Sequence, residues 1–181
     1  MGAHVGTAPS HTTGRSQTMP FRAAVALPGH FGVELDVRHL SDEDKRELRD
    51  WIAIHKQLRD RLHHGRVWLG EGEDQLVWQA HGDEAGHDVV LLAYRPQPSS
   101  LRYAPTLRLP MLDAHARYRV RAVVPPGTVR SRERHHTAAF FDALHAPEGH
   151  VVDGAWLVHA GLPMPRAQAE TAFIVTLQKV V

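Results

Sequence analysis

Two histidines near the start of the chain, seven residues apart, are the first side chains that could do chemistry. His4 stands in the short run "GAHV", and His11 lies in the loop-like stretch that follows it. Imidazole can bind a metal, but a zinc site needs three or four donors, and the sequence has neither an HxxH nor an HExxH spacing. We therefore predict no metal site. His4 is either a structural histidine at a strand end or a group at the carboxyl end of a parallel strand, where α/β barrels place their chemistry.

Two carboxylates form the second candidate site. Glu34 and Asp36 stand two residues apart, a spacing that on a strand places both side chains on one face, about 7 Å from each other. Such a pair could resemble the two acids of a glycosidase. Carboxylates in front of a predicted helix more commonly cap it or form salt bridges with it. We favour that structural role.

Histidine pairs and one basic run are weaker candidates. The neighbours His63 and His64 would point apart on a helix. The run "RSRERHH" (130–136) ends in a second histidine pair and is basic enough to suggest phosphate contacts. Glu133 interrupts it, however, and no aromatic residues are interleaved with it to stack on bases. A solvated loop is the better interpretation.

Four tryptophans could form sugar-binding platforms if they were exposed. Trp51, Trp68, Trp78 and Trp156 all stand inside apolar runs. This placement favours packing in the core over an exposed position.

The composition of the chain excludes several classes of function. The 181 residues carry 21 Lys+Arg and 20 Asp+Glu, and 43% of them are hydrophobic. A net charge of +1 gives no general attraction to nucleic acid or to an anionic membrane, so we predict neither as a partner. The absence of cysteine removes disulfides, thiolate metal sites and cysteine nucleophiles. We expect no cofactor. With no signal peptide and no membrane span visible, we expect a cytoplasmic protein and leave a homo-oligomer open.

The first third of the chain has an α/β rhythm. The clearest helix is 41–64, with Ser41 as the N-cap, acidic residues in the first turn, one apolar stripe and Gly65 after its end. A shorter helix is predicted over 20–30 and a strand over 31–36, with another strand in "GAHV". Strand, helix, strand and helix in this order indicate parallel strands with crossover connections. Because two such units cannot close a sheet, we predict that the chain starts inside a larger α/β domain.

After Gly65 the rhythm changes to short β-like runs separated by turns rich in Gly and Pro. This pattern predicts an antiparallel β-sandwich over 66–181, distinct from the α/β part over 1–65. The segment 125–150 is predicted to be a long loop with one helical turn. The predicted strands are 66–69, 75–80, 88–94, 106–109, 118–124, 155–160 and 171–177.

Several motifs stand in the order typical of one enzyme family. The sequence contains "MGAHVGTAPSHTTGR", "FRAAVALPGHFGVELD", "LRLPMLDAHARYRVR" and "DGAWLVHAGLPMP". Together they resemble the carboxyl-terminal part of bacterial α-galactosidases of glycoside hydrolase family 36. The resemblance spans nearly the whole chain except 125–150.

The resemblance implies an architecture and a reaction. The first part of the chain would close a (β/α)8 barrel, with strand seven at 3–6, helix seven at 20–29, strand eight at 31–36 and helix eight at 41–64. The rest would be a C-terminal β-sandwich. The family hydrolyses terminal α-galactosides with retention, using two aspartates. Their motifs are not in this sequence, so the resemblance implies a C-terminal portion that is inactive alone. It also implies substrate contacts for His4 and His11 through the complete enzyme.

The sequence departs from the family pattern at four positions. Ser10 and Thr12 stand where the family usually has Asn and Gln, Met111 replaces a Gly, and Ala114 replaces a Pro. Two alternatives stay open beside the family interpretation. The chain could be a stand-alone carbohydrate-binding or interaction module, or one part of a barrel that is split between two polypeptides.

Overall fold

The computed structural model describes residues 2–101, 105–123 and 139–180. The basic run 130–136 lies outside the described residues. The chain divides into two compact units, unit 1 (Met1–His63) and unit 2 (His64–Val181). No helix of the described residues is both long and apolar enough to cross a membrane.

Unit 1 alternates strands and helices. Strand β1 (His4–Gly6) is followed by helix α1 (Met19–Ala26), strand β2 (Gly32–Glu34) and helix α2 (Asp42–His63). The two strands pair in parallel, with His4 opposite Gly32 and Gly6 opposite Glu34. Helix α1 therefore forms the crossover between them, as the strand–helix order predicts.

The bounds of the long helix follow from local signals. The Ser41 hydroxyl accepts a hydrogen bond from the Asp44 amide at 3.0 Å and donates to its carboxylate at 2.7 Å. Helix α2 buries one stripe toward the interior of the protein. The stripe consists of Leu48, Trp51, Ile54, Leu58 and Leu62.

The second strand is shorter than the sequence predicts. The strand expected over 31–36 ends at Glu34, and a 3₁₀-helix follows at Val37–His39. Asp36 is the N-cap of this helix, because its side chain accepts from the Arg38 amide. The carboxylate thus ends the extended backbone and starts a turn.

Unit 2 contains eight described strands and two short helices. The strands are β3 (Arg66–Glu71), β4 (Val77–Gly82), β5 (Asp88–Arg95), β6 (Thr106–Leu107), β7 (Arg117–Ala122), β8 (His150–Asp153), β9 (Leu162–Pro163) and β10 (Thr171–Val180). Six of them form an antiparallel sheet in the order β3-β4-β5-β10-β7-β8, and β6 and β9 form a separate two-stranded sheet. Two short helices, α3 (Ala139–His145) and α4 (Gly154–His159), precede and follow β8.

One sequence-based expectation in unit 2 is wrong. The strand predicted over 155–160 is helix α4, in which the Ala160 amide donates to the Trp156 carbonyl at 2.9 Å. In an apolar run of six residues, the hydrophobic periodicity does not distinguish a strand from a helix. The segment 125–150 is predicted to be a long loop with one helical turn, and its described part, 139–150, contains the seven-residue helix α3 and the first residue of β8.

One face of the large sheet packs against both short helices and the small sheet. Their side chains form a single apolar cluster that includes Leu91, Val175, Leu144, Leu157 and Leu162, each 0% exposed. The second layer is therefore a mixture of helices and a short two-stranded sheet, where the sequence predicted a full second sheet.

A buried ion pair fastens the turn between β3 and β4. Arg95 Nη1 lies 2.8 Å from Asp74 Oδ2, and the two side chains are 3% and 6% exposed. The Ser100 amide and hydroxyl donate to the other carboxylate oxygen at 3.1 and 2.8 Å. The Ser99 hydroxyl, both Ser100 donors and Arg95 hold the pKa of Asp74 well below its usual range.

Candidate functional site

His4 lies on the strand pair of unit 1, against a glycine. Its imidazole covers the backbone of Gly32, the residue opposite it in the register. A Cβ on Gly32 would overlap the His4 ring and stand 2.9 Å from Nε2. Gly32 is therefore the residue that makes room for the imidazole.

The same ring approaches a carboxylate on β2. His4 Nδ1 lies 3.9 Å from Glu34 Oε2, with both side chains more than half exposed (55% and 72%). Val5 is 0% exposed on the opposite face of β1. Because side chains alternate along a strand, His4, Gly6, Gly32 and Glu34 share one face of the pair, which we call the open face.

The structure corrects the position of His4 along its strand. His4 is the first residue of β1, so the interpretation that put it at the carboxyl end is wrong. The strand continues through Gly6 because parallel pairing with β2 extends to Glu34. The loop 7–18, which follows the carboxyl end of β1, contains His11 instead.

His11 is exposed in a turn that two hydroxyls stabilise. The Ser10 Oγ lies 3.1 Å from the Thr12 Oγ1 and accepts from the Thr13 amide at 3.4 Å. The Gly14 amide donates to the Ser10 carbonyl at 2.8 Å and closes the turn. Ser10 and Thr12, where the family usually has Asn and Gln, thus hold the turn with short side chains. Among the described residues no hydrogen bond, ion pair or ring contact joins His11 to His4.

Arg22 holds the carboxyl end of β1 and was missed by the sequence analysis. Its Nη1 donates to the Gly6 carbonyl and its Nε donates to the Gln17 carbonyl at 3.1 Å. Burial of the guanidinium lowers its pKa, and Asp44 opposes this shift. The available signal was the Arg-x-x-Val-Ala-Leu motif of α1, whose first residue is Arg22. The guanidinium fixes both ends of the loop that carries His11.

The two carboxylates of the proposed acid pair have different partners. Glu34 approaches His4, whereas Asp36 binds Arg38 through Oδ1 at 2.9 Å and Oδ2 at 2.7 Å. The Arg38 side chain, followed by its amide, lowers the pKa of Asp36. The sequence favoured capping of the helix predicted over 41–64, whereas Asp36 caps the 3₁₀-helix Val37–His39 instead.

Three histidines meet on the other side of unit 1. The rings of His30 and His63 are 5.1 Å apart, and those of His55 and His63 are 5.6 Å apart. His55 also stacks on Phe31 at 5.1 Å. Burial lowers the pKa of His55, with Arg59 and the other two imidazoles adding to the effect. In residues 2–101, 105–123 and 139–180 no group of three or more His, Asp or Glu could hold a metal ion.

The four tryptophans differ in exposure. Trp51 is 1% exposed in α2, and Trp68 and Trp78 are partly buried against the core of unit 2. Trp156 is 38% exposed, so the core position predicted for it is wrong. The helix that replaces the predicted strand turns this side chain outward.

Family models match both units. A model described as Melibiase matches residues 1–65, and a model described as Glycosyl hydrolase family 36 C-terminal domain matches residues 75–177. An Escherichia coli alpha-galactosidase is 29% identical over 100% of the chain, and a bifunctional alpha-galactosidase/sucrose kinase from Mediterraneibacter gnavus is 29% identical over 91% of it. The chain spans 26% and 15% of the lengths of these two relatives.

Solved structures share the fold. The galactosidase domain of an alpha-galactosidase–sucrose kinase, AgaSK, superposes with a TM-score of 0.78 at 24% identity over 99% of the chain. A Lactobacillus brevis alpha-galactosidase gives a TM-score of 0.77 at 17% identity over 100% of the chain. The chain covers 22% of each of these two structures.

Proposed function

The chain belongs to glycosyl hydrolase family 36, and we propose that it forms the C-terminal part of an α-galactosidase-like enzyme that hydrolyses terminal α-galactosides with retention. The observation that carries this proposal is the parallel β1–β2 pair with its α1 crossover, within the segment that matches the Melibiase model. The alternative, a stand-alone carbohydrate-binding module, gives no role to this α/β unit.

In this proposal unit 1 supplies the last two strand–helix units of a (β/α)8 barrel. Strands β1 and β2 take the places of strands seven and eight, and helices α1 and α2 those of the helices that follow them. The open face with His4 and Glu34 then points into the barrel, because Val5 on the opposite face is buried. Inward-facing side chains from successive strands fill a barrel in layers.

The loop 7–18 is the part of this chain best placed to contact a substrate. Barrel enzymes carry their chemistry on loops at the carboxyl ends of the strands, and this loop follows the carboxyl end of β1. His11 is exposed on it and can donate to or accept from a sugar hydroxyl. Arg22 positions the loop through the Gly6 and Gln17 carbonyls. His4, on the open face, is assigned to a deeper layer of the same barrel.

Retaining hydrolysis needs two carboxyl groups about 5–5.5 Å apart, one as nucleophile and one as acid and then base. Glu34 and Asp36 do not provide them, since Asp36 is bound by Arg38. We assign both reacting carboxylates to barrel strands outside these 181 residues. In this proposal the chain then contributes loop contacts and the closing strands of the barrel.

A chimera tests this assignment. The segment of the Escherichia coli relative that matches this chain is replaced by the 181 residues, and hydrolysis of a chromogenic α-galactoside is measured. We expect activity from the chimera and none from the isolated chain. A chromogenic β-galactoside serves as the control substrate and stays intact.

Two results would overturn the proposal. One is hydrolysis of the α-galactoside by the purified 181-residue chain. The other is a folded chimera without activity, with folding judged by its circular dichroism and its thermal transition.

A further inference from the structure

An open groove lies beside edge strand β8 of unit 2. Its volume is about 410 Å³, within the range of roughly 300–1,000 Å³ that is typical of small-molecule sites. The lining combines aromatic rings, an imidazole, a carboxylate and two valines. The lining residues are Phe140, His150, Val151, Val152, Asp153 and Trp156.

Three rings form the aromatic part of the groove. Phe140 stands edge-on to Trp156 at 6.0 Å and to His150 at 5.6 Å, with interplanar angles of 79° and 85°. Phe141, next to Phe140, packs edge-on against Phe173 in the core. The rings are thus anchored from behind, while Trp156 stays 38% exposed. Such an exposed tryptophan in a concave site is uncommon outside binding surfaces.

Asp153 gives the groove a carboxylate that is not used for local structure. It occupies the N-cap position of α4, yet its side chain makes no capping hydrogen bond within the described part of the chain. It is exposed at the groove. A carboxylate in this state can accept two hydrogen bonds from neighbouring hydroxyls of one ligand.

The backbone between Asp153 and Trp156 is closely packed at Gly154. The Gly154 amide donates to the Ala116 carbonyl at 2.7 Å. A Cβ on Gly154 would overlap the Asp113 carbonyl and stand 2.8 Å from that of Ala116. Asp153 and Trp156 stand on either side of this closely packed junction between β8 and α4.

We propose that this groove binds an α-galactosyl unit of a saccharide. The C–H bonds on one side of a galactose ring are weakly positive and complement the negative face of an indole. Sugar hydroxyls on the other side supply donors for Asp153 and partners for His150. No Lys or Arg is among the groove-lining residues described above, so a neutral polyhydroxyl ligand fits better than a phosphate. The choice of galactose rests on the proposed function.

A peptide strand is the competing ligand, because β8 is the last strand of its sheet among the described residues and an edge strand can pair with a peptide. The strand has only four residues, which limits the ladder that a peptide could form. The exposed carboxylate and indole favour the sugar.

Binding to the intact 181-residue chain tests the site. Isothermal titration and saturation-transfer NMR are recorded with methyl α-galactoside and raffinose, and with methyl α-glucoside for comparison. We expect saturable galactoside binding with a dissociation constant on the order of 1 mM. Trp156→Ala should weaken binding at least about tenfold, and Asp153→Ala at least about threefold.

Leu69→Ala is the matched control, since Leu69 is a 75% exposed apolar residue on the opposite edge strand β3. The Leu69→Ala variant should bind galactosides with the affinity of the unchanged chain. The inference is overturned by a chain that does not bind galactosides, by binding that survives Trp156→Ala, or by equal binding of the glucoside. Unaltered circular dichroism of Trp156→Ala and Asp153→Ala separates lost binding from lost folding.

The outcome is independent of the chimera experiment. An active chimera together with a chain that does not bind sugars would refute the groove alone. An inactive chimera together with specific galactoside binding would refute the barrel assignment alone.

Discussion

The imidazole of His4 occupies the space that a side chain on Gly32 would take. The two residues are register partners on parallel strands, and the ring continues across β2 to place Nδ1 3.9 Å from Glu34 Oε2. Because Gly32 has no Cβ, the His4 ring can lie across β2 and approach Glu34.

Gly32→Ala should displace the His4 ring and separate it from Glu34. More than half of the His4 side chain is exposed, so the ring can rotate into solvent, and we expect unfolding to become easier by no more than about 1 kcal/mol. The imidazole resonances of His4 in carbon–proton NMR spectra should shift strongly. In the active chimera, kcat/KM should fall to the level of His4→Ala.

Gly6→Ala is the control for this substitution. Gly6 lies on the same open face, and a Cβ there would meet nothing within 4 Å. The His4 resonances of the Gly6→Ala variant should match those of the unchanged chain. Equal shifts in the two variants would contradict the steric explanation.

Arg22→Met should loosen the loop that contains His11. The substitution removes the donors to the Gly6 and Gln17 carbonyls and keeps much of the apolar stem. We expect amide exchange in 7–18 to accelerate about tenfold or more, with exchange in α2 unchanged. Arg15→Met is the matched control, because Arg15 is exposed in the same loop. Similar amide exchange rates in 7–18 of both variants would contradict the positioning role of Arg22.

Local signals predicted the long helix and its ends. Ser41, the acidic first turn and the apolar stripe all act within one or two turns of chain, and helix α2 follows them to within a residue at each end. The role of Arg22 could not be read in this way. It depends on Gly6, 16 residues earlier, which only tertiary folding brings to the guanidinium.

Short apolar runs were the least predictable. The run around Trp156 reads equally well as strand or helix, and the choice is made by the close backbone approach of Gly154 to Asp113. The Asp74–Arg95 pair was equally invisible, because its members are 21 residues apart and Asp74 stands in a stretch that indicates only a turn. Interactions between distant residues settle both cases.

Arg95→Met should destabilise unit 2 strongly at neutral pH. The substitution leaves the Asp74 carboxylate enclosed without its cation, and such losses are costly. We expect the thermal midpoint of unit 2, followed by near-ultraviolet circular dichroism, to fall by several degrees. Lys179→Met is the control, because Lys179 pairs with Asp113 at 3.0 Å with both side chains about one-third exposed. Lys179→Met should lower the thermal midpoint only slightly. A fall equal to or larger than that of Arg95→Met would contradict the explanation that burial makes the loss of the Arg95–Asp74 pair costly.

Acid should weaken the contribution of Asp74. The folded pKa lies below the unfolded value of about 3.9, so the unfolded state binds more protons and stability falls as the pH drops. The stabilisation by Asp74 is complete above about pH 4 and decreases below it. The difference in urea midpoint between Asp74→Asn and the unchanged chain should therefore shrink under acid conditions. If the difference in urea midpoint stayed constant as the pH fell below about 4, the ionised Asp74 carboxylate would not be the source of the stabilisation.

Protonation of His55 should destabilise unit 1 at mildly acidic pH. Burial lowers the pKa of His55, and His63, Arg59 and His30 add unfavourable positive charge, while the carbonyl of Gly29 opposes the shift. The unfolded residue titrates near 6.5, so between about pH 7 and the folded pKa the unfolded state holds more protons. Stability should therefore be complete above about pH 7 and should fall as the pH drops.

His55→Leu tests this mechanism, since it keeps apolar contact with Phe31 and removes the proton site. Trp51 is the single tryptophan of unit 1, so fluorine NMR of fluorotryptophan-labelled chain reports unfolding of that unit in urea. We expect the midpoint to fall between about pH 7 and about pH 5 in the unchanged chain and to vary clearly less in His55→Leu. His11→Leu, which removes an exposed histidine outside the cluster, should keep the pH dependence of the unchanged chain. If it flattens the profile as much as His55→Leu, the pH response does not originate in the buried ring.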